Sequence, residues 1–371
     1  MIPSLPKNVL PTNLPQENFS VPEAPLPRIA AESTKMCREI AESSAAIAGQ
    51  IDANAPRLRE LAAALRRDPP RLIATGARGS SDNAATFAKY LFETRLGIAT
   101  MSAAPSVQSI YAAEQDLAGT LFLAISQSGK SPDLLRQAEA AKRAGARVVA
   151  MVNVETSPLA AHADAVIALR AGPELSVAAT KSFLCSLSAI LQLAAEWKDD
   201  GALRAALAAV PAALNENATT SWQTLVDGLA DARSLFVVGR GPGLAAAQEA
   251  ALKLKETCGI HAEAFSAAEV QHGPMTLVGP GFPVVFFVQD DNTKTSTLEV
   301  AATFRARGAH VWTIGAEADG CDALPLPATL DPACAPLVAV HRFYEAVNAL
   351  AVLRGRDPDA PPHLSKVTET V

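Results

Sequence analysis

The chain has 371 residues and a formal net charge of −6, with 32 lysines and arginines against 38 aspartates and glutamates. This balance argues against nucleic acid or an anionic membrane as the partner, because both select proteins with excess positive charge. A hydrophobic fraction of 49% at this length is enough for two domains with full cores. No charged segment followed by an apolar one opens the chain, so we expect a cytoplasmic protein.

Neither the cysteines nor the histidines show the spacing of a metal site. The five cysteines are scattered and form no CxxC, and the six histidines form no HExxH. We therefore expect reduced thiols in ordinary packing positions and no metal.

The predicted elements begin after a proline-rich arm. Seven prolines lie in residues 1–27, so we expect residues 1–28 to be an extended arm. A helical pattern over residues 29–65 follows. Further along, the apolar run Phe183–Trp197 is interrupted by polar residues, which predicts a buried helix and not a membrane span. Residues 198–222 are typical of a linker helix.

Apolar strands alternate with helical segments in two successive copies. The pairs Gly76/Gly239 and Gly145/Gly308 lie in similar local sequences, and both are 163 positions apart. This pattern predicts two duplicated α/β domains with doubly wound parallel sheets. We place the first domain at 29–215, the second at 216–355 and a C-terminal tail at 356–371. The predicted strands are Leu72–Thr75, Leu121–Ile125, Arg147–Val152 and Ala165–Leu169, then Leu235–Val238, Val284–Val288 and Val311–Ile314.

A serine-rich loop follows the second predicted strand. It reads Ser126-Gln-Ser-Gly-Lys-Ser-Pro-Asp133, and Pro132 suits the first position of the helix that begins there. A helix N-terminus carries partial positive charge and unpaired N–H groups, so this loop predicts a phosphate site. An ordinary strand-to-helix turn would have the same composition, and no GxxxxGK[ST] is present to indicate a nucleotide triphosphate.

The second copy has Gln289-Asp-Asp-Asn292 at the corresponding place, which would repel a phosphate, and it contributes titratable groups instead. We expect Glu249 and Lys253, four apart on one helix, to form a solvated ion pair. Glu256 and His272 lie beside small apolar sequence, which favours acid–base chemistry for both.

Several motifs together resemble a known family. Gly79-Ser-Ser81, Ser126-Gln-Ser-Gly129, Val177-Ala-Ala-Thr-Lys181, Ala251-Leu-Lys-Leu-Lys-Glu256 and His272-Gly-Pro274 are similar to the tandem sugar isomerase (SIS) domains of glucosamine-6-phosphate synthase, in the same order. The tail Leu364-Ser-Lys-Val-Thr368 also resembles the C-terminus of that enzyme. The resemblance runs from about residue 30 to the end.

The resemblance implies a role for each matching residue. Glu256 would move a proton between C1 and C2 of the sugar, Lys366 would engage the open-chain carbonyl, and the tail would act as a lid. His272 would open the sugar ring of the neighbouring subunit's substrate, which implies a homodimer. No cofactor is required. The implied substrate-binding residues are Gly79, Ser80, Ser81, Ser126, Gln127, Ser128, Ser131, Val177 (through its backbone) and Lys253.

Departures from the synthase pattern point to a related reaction. Met1 is followed by Ile2 in place of a nucleophilic cysteine, so we expect no glutaminase. The Arg78-Gly79-Ser80 motif and the serine loop look more like those of stand-alone SIS-type glucosamine-6-phosphate deaminases. We therefore predict isomerising deamination of glucosamine 6-phosphate. A galactosamine-6-phosphate deaminase, a fructosamine-6-phosphate deglycase and a non-catalytic sugar-phosphate sensor stay open as alternatives.

Overall fold

Two five-stranded sheets organise the chain, and every strand pair in both is parallel. The computed structural model describes residues 29–216, 222–327 and 331–366, so the predicted arm lies outside the described residues. In chain order the strands are β1 (Leu72–Gly76), β2 (Thr100–Ser102), β3 (Thr120–Ser126), β4 (Arg147–Val152), β5 (Ala165–Ala168), β6 (Ser234–Gly239), β7 (His261–Ser266), β8 (Pro283–Phe287), β9 (His310–Ile314) and β10 (Asp322–Leu324).

Helices fill most of the connections between these strands. Short 3₁₀ helices also lie at Ala31–Ser33, Glu269–Gln271 and Pro274–Leu277. The α-helices are α1 (Lys35–Ala41), α2 (Ser43–Arg67), α3 (Ser80–Leu96), α4 (Ser106–Ser109), α5 (Pro132–Arg143), α6 (Pro158–His162), α7 (Lys181–Lys198), α8 (Gly201–Asn215), α9 (Gln223–Leu229), α10 (Gly243–Cys258), α11 (Lys294–Ala306) and α12 (Ala335–Leu353).

The two sheets have the same topology, which confirms the predicted duplication. The first has the order β2-β1-β3-β4-β5 and the second β7-β6-β8-β9-β10. Thr120 and Pro283 begin β3 and β8, and Arg147 and His310 begin β4 and β9; each pair is again 163 positions apart. The predicted α/β fold of two doubly wound parallel sheets is therefore confirmed.

All seven predicted strands are present, but three strands were missed. These are β2, β7 and β10, and each lies at the edge of its sheet. An edge strand packs less of its surface, so its sequence need not be apolar. In β7, for example, His261 and Glu263 are exposed.

Strand β3 shows how each sheet is buried on both faces, as parallel sheets require. Leu121, Leu123 and Ile125 contribute to a large core that extends across both domains. Phe122 and Ala124 point the other way, into a smaller core closed by α5 and α6. Helix α7 is buried along its length from Lys181 to Trp197, which confirms the predicted buried helix.

Helices α3 and α10 pack against each other between the two sheets, and α12 packs on α10. The large core is continuous through these helices. This arrangement brings the start of α3, from the first domain, next to α10 of the second domain. Within the described ranges, no helix is both long and apolar enough to cross a membrane.

Candidate active site

A cavity of about 370 Å³ opens at the carboxyl ends of β1 and β3, where parallel α/β sheets bind their ligands. Its walls come from both domains and from the C-terminal segment. All the predicted site residues line it except Lys253 and His272. The polar and charged lining residues are Arg78, Ser80, Ser81, Ser126, Gln127, Ser128, Ser131, Ser182, Ser186, Glu256, Ser365 and Lys366.

The serine loop folds as a tight turn at one end of this cavity. Ser126 Oγ accepts a hydrogen bond from the N–H of Gly129 at 3.0 Å. Gly129 has a φ of +61°, and a Cβ there would lie 2.2 Å from Ser157 Oγ, so only glycine fits. Ser131 is the residue before α5, but its side chain accepts no capping bond and lines the cavity.

A second helix begins at the same end of the cavity. Gly79 precedes α3 with a φ of +55°, and Ser80 and Ser81 form the first turn. Two helix N-termini therefore face one space, together with several hydroxyl donors. Both features favour an anion, because the N–H groups of the first turn lack helical acceptors and the helix dipole is positive there.

Behind this wall lies a buried charged cluster, and here one prediction was wrong. Glu249 and Lys253 are not solvated: both side chains are fully buried, with Nζ 3.3 Å from Oε1. The pair is enclosed because α10 packs against α3 and α12. Glu249 also accepts hydrogen bonds from Ser80, from Asn83 at 2.8 Å and from the Tyr344 hydroxyl at 2.8 Å.

The cluster perturbs the acid–base behaviour of its members. Burial raises the pKa of Glu249, against the opposing effect of the Lys253 charge and the Asn83 hydrogen bond. Burial acts to lower the pKa of Lys253, but the carboxylates of Glu249 and Glu256 outweigh it and raise that pKa to about 12. Lys253 is therefore a permanently charged ammonium at neutral pH.

Lys253 connects the buried cluster to the cavity. Its Nζ lies 2.5 Å from Glu256 Oε2 and 3.1 Å from Ser80 Oγ. Glu256 lines the cavity and its side chain is 21% exposed, whereas Lys253 itself does not reach the cavity surface. Lys253 thus lies directly behind two lining residues, one from each domain.

Lys366, in the C-terminal segment, is held at the cavity by the buried carboxylate of Glu174, for which no role was predicted. Its Nζ lies 2.9 Å from Glu174 Oε2 and 2.8 Å from the carbonyl of Ser176. Glu174 is fully buried and also accepts hydrogen bonds from Thr180 and Ser182. Burial acts to raise the pKa of Glu174, but the charge of Lys366 and the Ser182 hydrogen bonds outweigh it, so that pKa is lowered.

Asp359 anchors the other end of this segment on the first domain. Its carboxylate accepts hydrogen bonds from the N–H groups of Lys35 and Met36, in the first turn of α1. Its carbonyl accepts one from the N–H of Val177, a residue of the cavity wall. No pattern in the sequence indicates these long-range contacts, since they join positions more than 180 residues apart.

The structure places His272 and the titratable groups of β7 away from the cavity of their own chain. His272 is exposed between the two 3₁₀ helices Glu269–Gln271 and Pro274–Leu277. His261 and Glu263 are exposed on β7. In the part of the chain that is described, no group of three or more histidines, cysteines, aspartates or glutamates is arranged to hold a metal ion.

In the second domain, a glutamine side chain occupies the position that corresponds to the serine loop. Gln289 lies there and is almost fully buried, and its Nε2 donates to the carbonyl of Arg240 at 2.7 Å. A Cβ on Gly243, at the start of α10, would lie 2.4 Å from Gln289 Oε1. The amide thus occupies the space before this helix N-terminus.

The SIS domain model matches residues 67–196 and 228–320, so the chain belongs to the SIS domain family of sugar-phosphate proteins. It is 35% identical over 367 residues to the isomerizing glutamine–fructose-6-phosphate aminotransferase of Aeropyrum pernix, and the match covers 89% of this chain and 56% of that protein. The chain therefore spans about half the length of the curated relatives it matches.

Two solved structures are similar along most of the chain. One is a provisionally assigned phosphosugar isomerase from Silicibacter pomeroyi DSS-3, with 42% identity, a TM-score of 0.83, and coverage of 88% of this chain and 100% of that one. The other is the C-terminal domain of the glucosamine-fructose-6-phosphate aminotransferase from Francisella tularensis, with 28% identity, a TM-score of 0.77, and coverage of 89% and 98%. These likenesses support an isomerase-type enzyme related to the isomerase half of the aminotransferase.

Proposed function

We propose that the chain catalyses the isomerising deamination of glucosamine 6-phosphate to fructose 6-phosphate and ammonia. The observation that carries this proposal is the meeting, in one cavity of about 370 Å³, of a serine-lined anion site and the carboxylate of Glu256. That volume lies within the usual range of small-molecule sites. The names of the relatives above support a phosphosugar substrate.

The phosphate would lie at the end of the cavity where α3 and α5 begin. Ser81, Ser126, Ser128 and Ser131 would donate to its oxygens, and the two helix N-termini would favour its charge. Anchored there, the sugar chain extends toward Glu256. A fixed phosphate holds C1 and C2 within reach of one base. Such positioning makes proton transfer much faster than a chance collision of the same groups in solution.

Glu256 would carry the proton between C2 and C1. With the ring open, C1 is an aldehyde and C2 bears the amine. Removal of the C2 proton, with a proton taken up by the C1 oxygen, gives an enolamine. Return of a proton to C1, with loss of a proton from the nitrogen, gives the 2-imine of fructose 6-phosphate. Water then adds to C2, the C2–N bond breaks, and ammonia leaves with fructose 6-phosphate. One carboxylate serves both transfers, and the Lys253 ammonium, which donates to it at 2.5 Å, holds it in place.

Two further groups complete the proposed site. Lys366 would release Glu174 and donate a hydrogen bond to the open-chain carbonyl oxygen. His272 of the partner subunit would move the proton that opens the ring, because the His272 of the same chain is exposed and does not line the cavity. The proposal therefore includes a homodimer with shared sites.

Ammonia release by the purified protein tests this function. The substrates are glucosamine 6-phosphate, galactosamine 6-phosphate, fructosamine 6-phosphate, and glutamine with fructose 6-phosphate. We expect ammonia and fructose 6-phosphate from the first alone. Ammonia release from galactosamine 6-phosphate or from fructosamine 6-phosphate instead would make that compound the substrate. Formation of glucosamine 6-phosphate from glutamine would instead establish the aminotransferase reaction of the curated relatives.

A Glu256→Gln variant separates an enzyme from a sensor. The amide keeps the shape of the side chain but cannot accept the C2 proton, so we expect binding of glucosamine 6-phosphate with loss of turnover. Glu263→Gln is the matched control, since Glu263 is exposed on β7. Turnover near that of the wild type in Glu256→Gln would exclude Glu256 as the proton carrier.

A further inference from the structure

Arg78 is a cationic residue of the cavity for which no role was predicted. It lies in the loop between β1 and α3, next to Gly79 and Ser80, and it lines the cavity at the serine-rich end. Its side chain is 52% exposed. A guanidinium is always charged at physiological pH, so this end of the cavity holds a permanent positive charge.

A buried carboxylate fixes the guanidinium in place. Asp133, in the first turn of α5, is 1% exposed and accepts from Arg78 Nη2 at 2.7 Å and from Nε at 2.9 Å. Asp133 also accepts a hydrogen bond from the N–H of Leu134 at 2.8 Å. This bond holds its carboxylate at the first turn of α5, the helix that follows the serine loop. The contact thus joins the loops that precede α3 and α5.

We propose that Arg78 binds the phosphate of the substrate and that Asp133 is its positioning residue; this rests on the proposed phosphosugar function. Two N–H groups of the guanidinium contact Asp133, and the guanidinium has five N–H donors in a rigid fork. The others can contact phosphate oxygens, for which the fork geometry is suited.

The charges around the cavity favour this assignment. The charged residues that line it, within the described ranges, are Arg78, Glu256 and Lys366. Glu256 repels a phosphate dianion. Lys366 and Arg78 are each paired with a buried carboxylate, but the Lys366 side chain is 25% exposed and that of Arg78 is 52% exposed. The serines are neutral donors. Arg78 is therefore the more accessible cation for a phosphate dianion, and it lies at the serine-rich end of the cavity.

The negative charge of Asp133 does not cancel this effect at the cavity surface. Its carboxylate is buried, whereas half of the guanidinium side chain is exposed. A ligand in the cavity therefore meets the cation and not the carboxylate. The ion pair holds the long arginine side chain in one orientation before the ligand arrives, which lowers the entropy lost on binding.

The test is calorimetric binding of glucosamine 6-phosphate, fructose 6-phosphate and inorganic phosphate to the full chain and its variants. We expect Arg78→Ala to weaken binding of both sugar phosphates by about ten- to a hundredfold, the usual effect of losing a charged hydrogen bond. Arg78→Lys keeps the charge without the fork and should restore part of the affinity. Arg136→Ala is the control, because Arg136 is an exposed arginine of α5 outside the cavity lining.

The binding readout separates this proposal from the proposed reaction. A wild-type chain that binds sugar phosphates but releases no ammonia refutes the deamination and leaves the Arg78 test intact. Wild-type affinity for sugar phosphates in a folded Arg78→Ala variant would overturn the role of Arg78, as would failure of the wild type to bind all three probes. Should Arg78→Ala not fold, Arg78→Gln retains the long side chain and gives the same comparison.

Discussion

Glu249 and Lys253 form an ion pair with both side chains fully buried, one helical turn apart on α10 and enclosed by α3 and α12. Such a pair is stable only when further hydrogen bonds satisfy its oxygens and protons. Here Asn83 and Tyr344 donate to the carboxylate, and Ser80 and Glu256 accept from the ammonium. The pair therefore joins the domain interface to the proposed catalytic carboxylate.

Replacing Lys253 by methionine should be strongly destabilising. The substitution leaves Glu249 buried without its cation, and breaking a buried pair in this way typically costs about 3–5 kcal/mol. Urea-induced unfolding measures the loss. In the double variant Glu249→Gln/Lys253→Met the unpaired charge is removed, so we expect part of the stability to return.

An exposed pair with the same spacing provides the control for this measurement. Lys294 and Asp290 are also four residues apart, at 2.8 Å, but their side chains are 40% and 80% exposed. Lys294→Met should change the free energy of unfolding little, because solvent screens such pairs. Equal losses in Lys253→Met and Lys294→Met would contradict the importance of burial.

Tyr344→Phe should lower turnover more than substrate affinity. The variant removes the hydroxyl that donates to Glu249 Oε1 at 2.8 Å and leaves a buried oxygen short of one donor, which costs about 1–3 kcal/mol. Tyr344 does not line the cavity, so KM should hold while kcat falls as Lys253 and Glu256 lose alignment. Tyr111→Phe, at a residue 77% exposed, should behave as wild type. A rise in KM alone would argue against this positioning role.

The sequence predicted the repeated architecture well because the central strands are apolar runs buried on both faces. Strand β3 is such a run, and the serine loop after it was placed correctly at the start of a helix. Three of the four edge strands, β2, β7 and β10, were missed, because a strand such as β7 is only partly buried and its sequence is mixed.

The contacts that build the site were much less predictable. Helical spacing shows that Glu249 and Lys253 share a face, but it does not show that α3 covers that face. The sequence therefore left open whether the pair meets water or protein. Glu174 and Asp359 hold the C-terminal segment through contacts between distant parts of the chain, and no local pattern reports such pairs. In the sequence, Arg78 stood out only because its motif departs from the synthase pattern, and this departure did not indicate a contact with the ligand.

Acid should weaken the attachment of Lys366 to Glu174. The pKa of Glu174 in the folded protein is lower than its usual value near 4.5, despite burial, because of Lys366 and Ser182. A lowered carboxyl pKa stabilises the folded state at pH values above the usual one, and that contribution is lost as pH falls through the folded value. The wild type should therefore be more stable than Glu174→Gln at neutral pH, and the gap should narrow as the pH falls below the usual carboxyl value near 4.5.

Unfolding curves of the two proteins between neutral pH and pH 3 measure that gap. Glu155→Gln is the control, since the Glu155–Arg170 pair is exposed and should contribute little at any pH. A difference between wild type and Glu174→Gln that stays constant across this range would show that the carboxylate charge is not what holds Lys366.

Gly129→Ala should distort the proposed phosphate site, whereas Gly49→Ala should be tolerated. At Gly129 the backbone is left-handed, with φ +61°, and the added methyl would lie 2.2 Å from Ser157 Oγ and 2.6 Å from its Cβ. Strain and overlap together should cost more than the roughly 1–2 kcal/mol of a left-handed alanine alone. Relief of that strain must move the serine loop, so binding of glucosamine 6-phosphate should weaken as well.

Gly49 lies inside α2, and an added Cβ there meets no atom within 4 Å. Alanine is favoured over glycine in a helix interior by about 0.5–1 kcal/mol, so this variant should be slightly more stable than the wild type with unchanged ligand binding. Thermal unfolding and calorimetric titration of both variants give the comparison. Normal sugar-phosphate affinity in Gly129→Ala would mean that the loop shape set by Gly129 is not required for binding, and the phosphate would then have to lie elsewhere in the cavity.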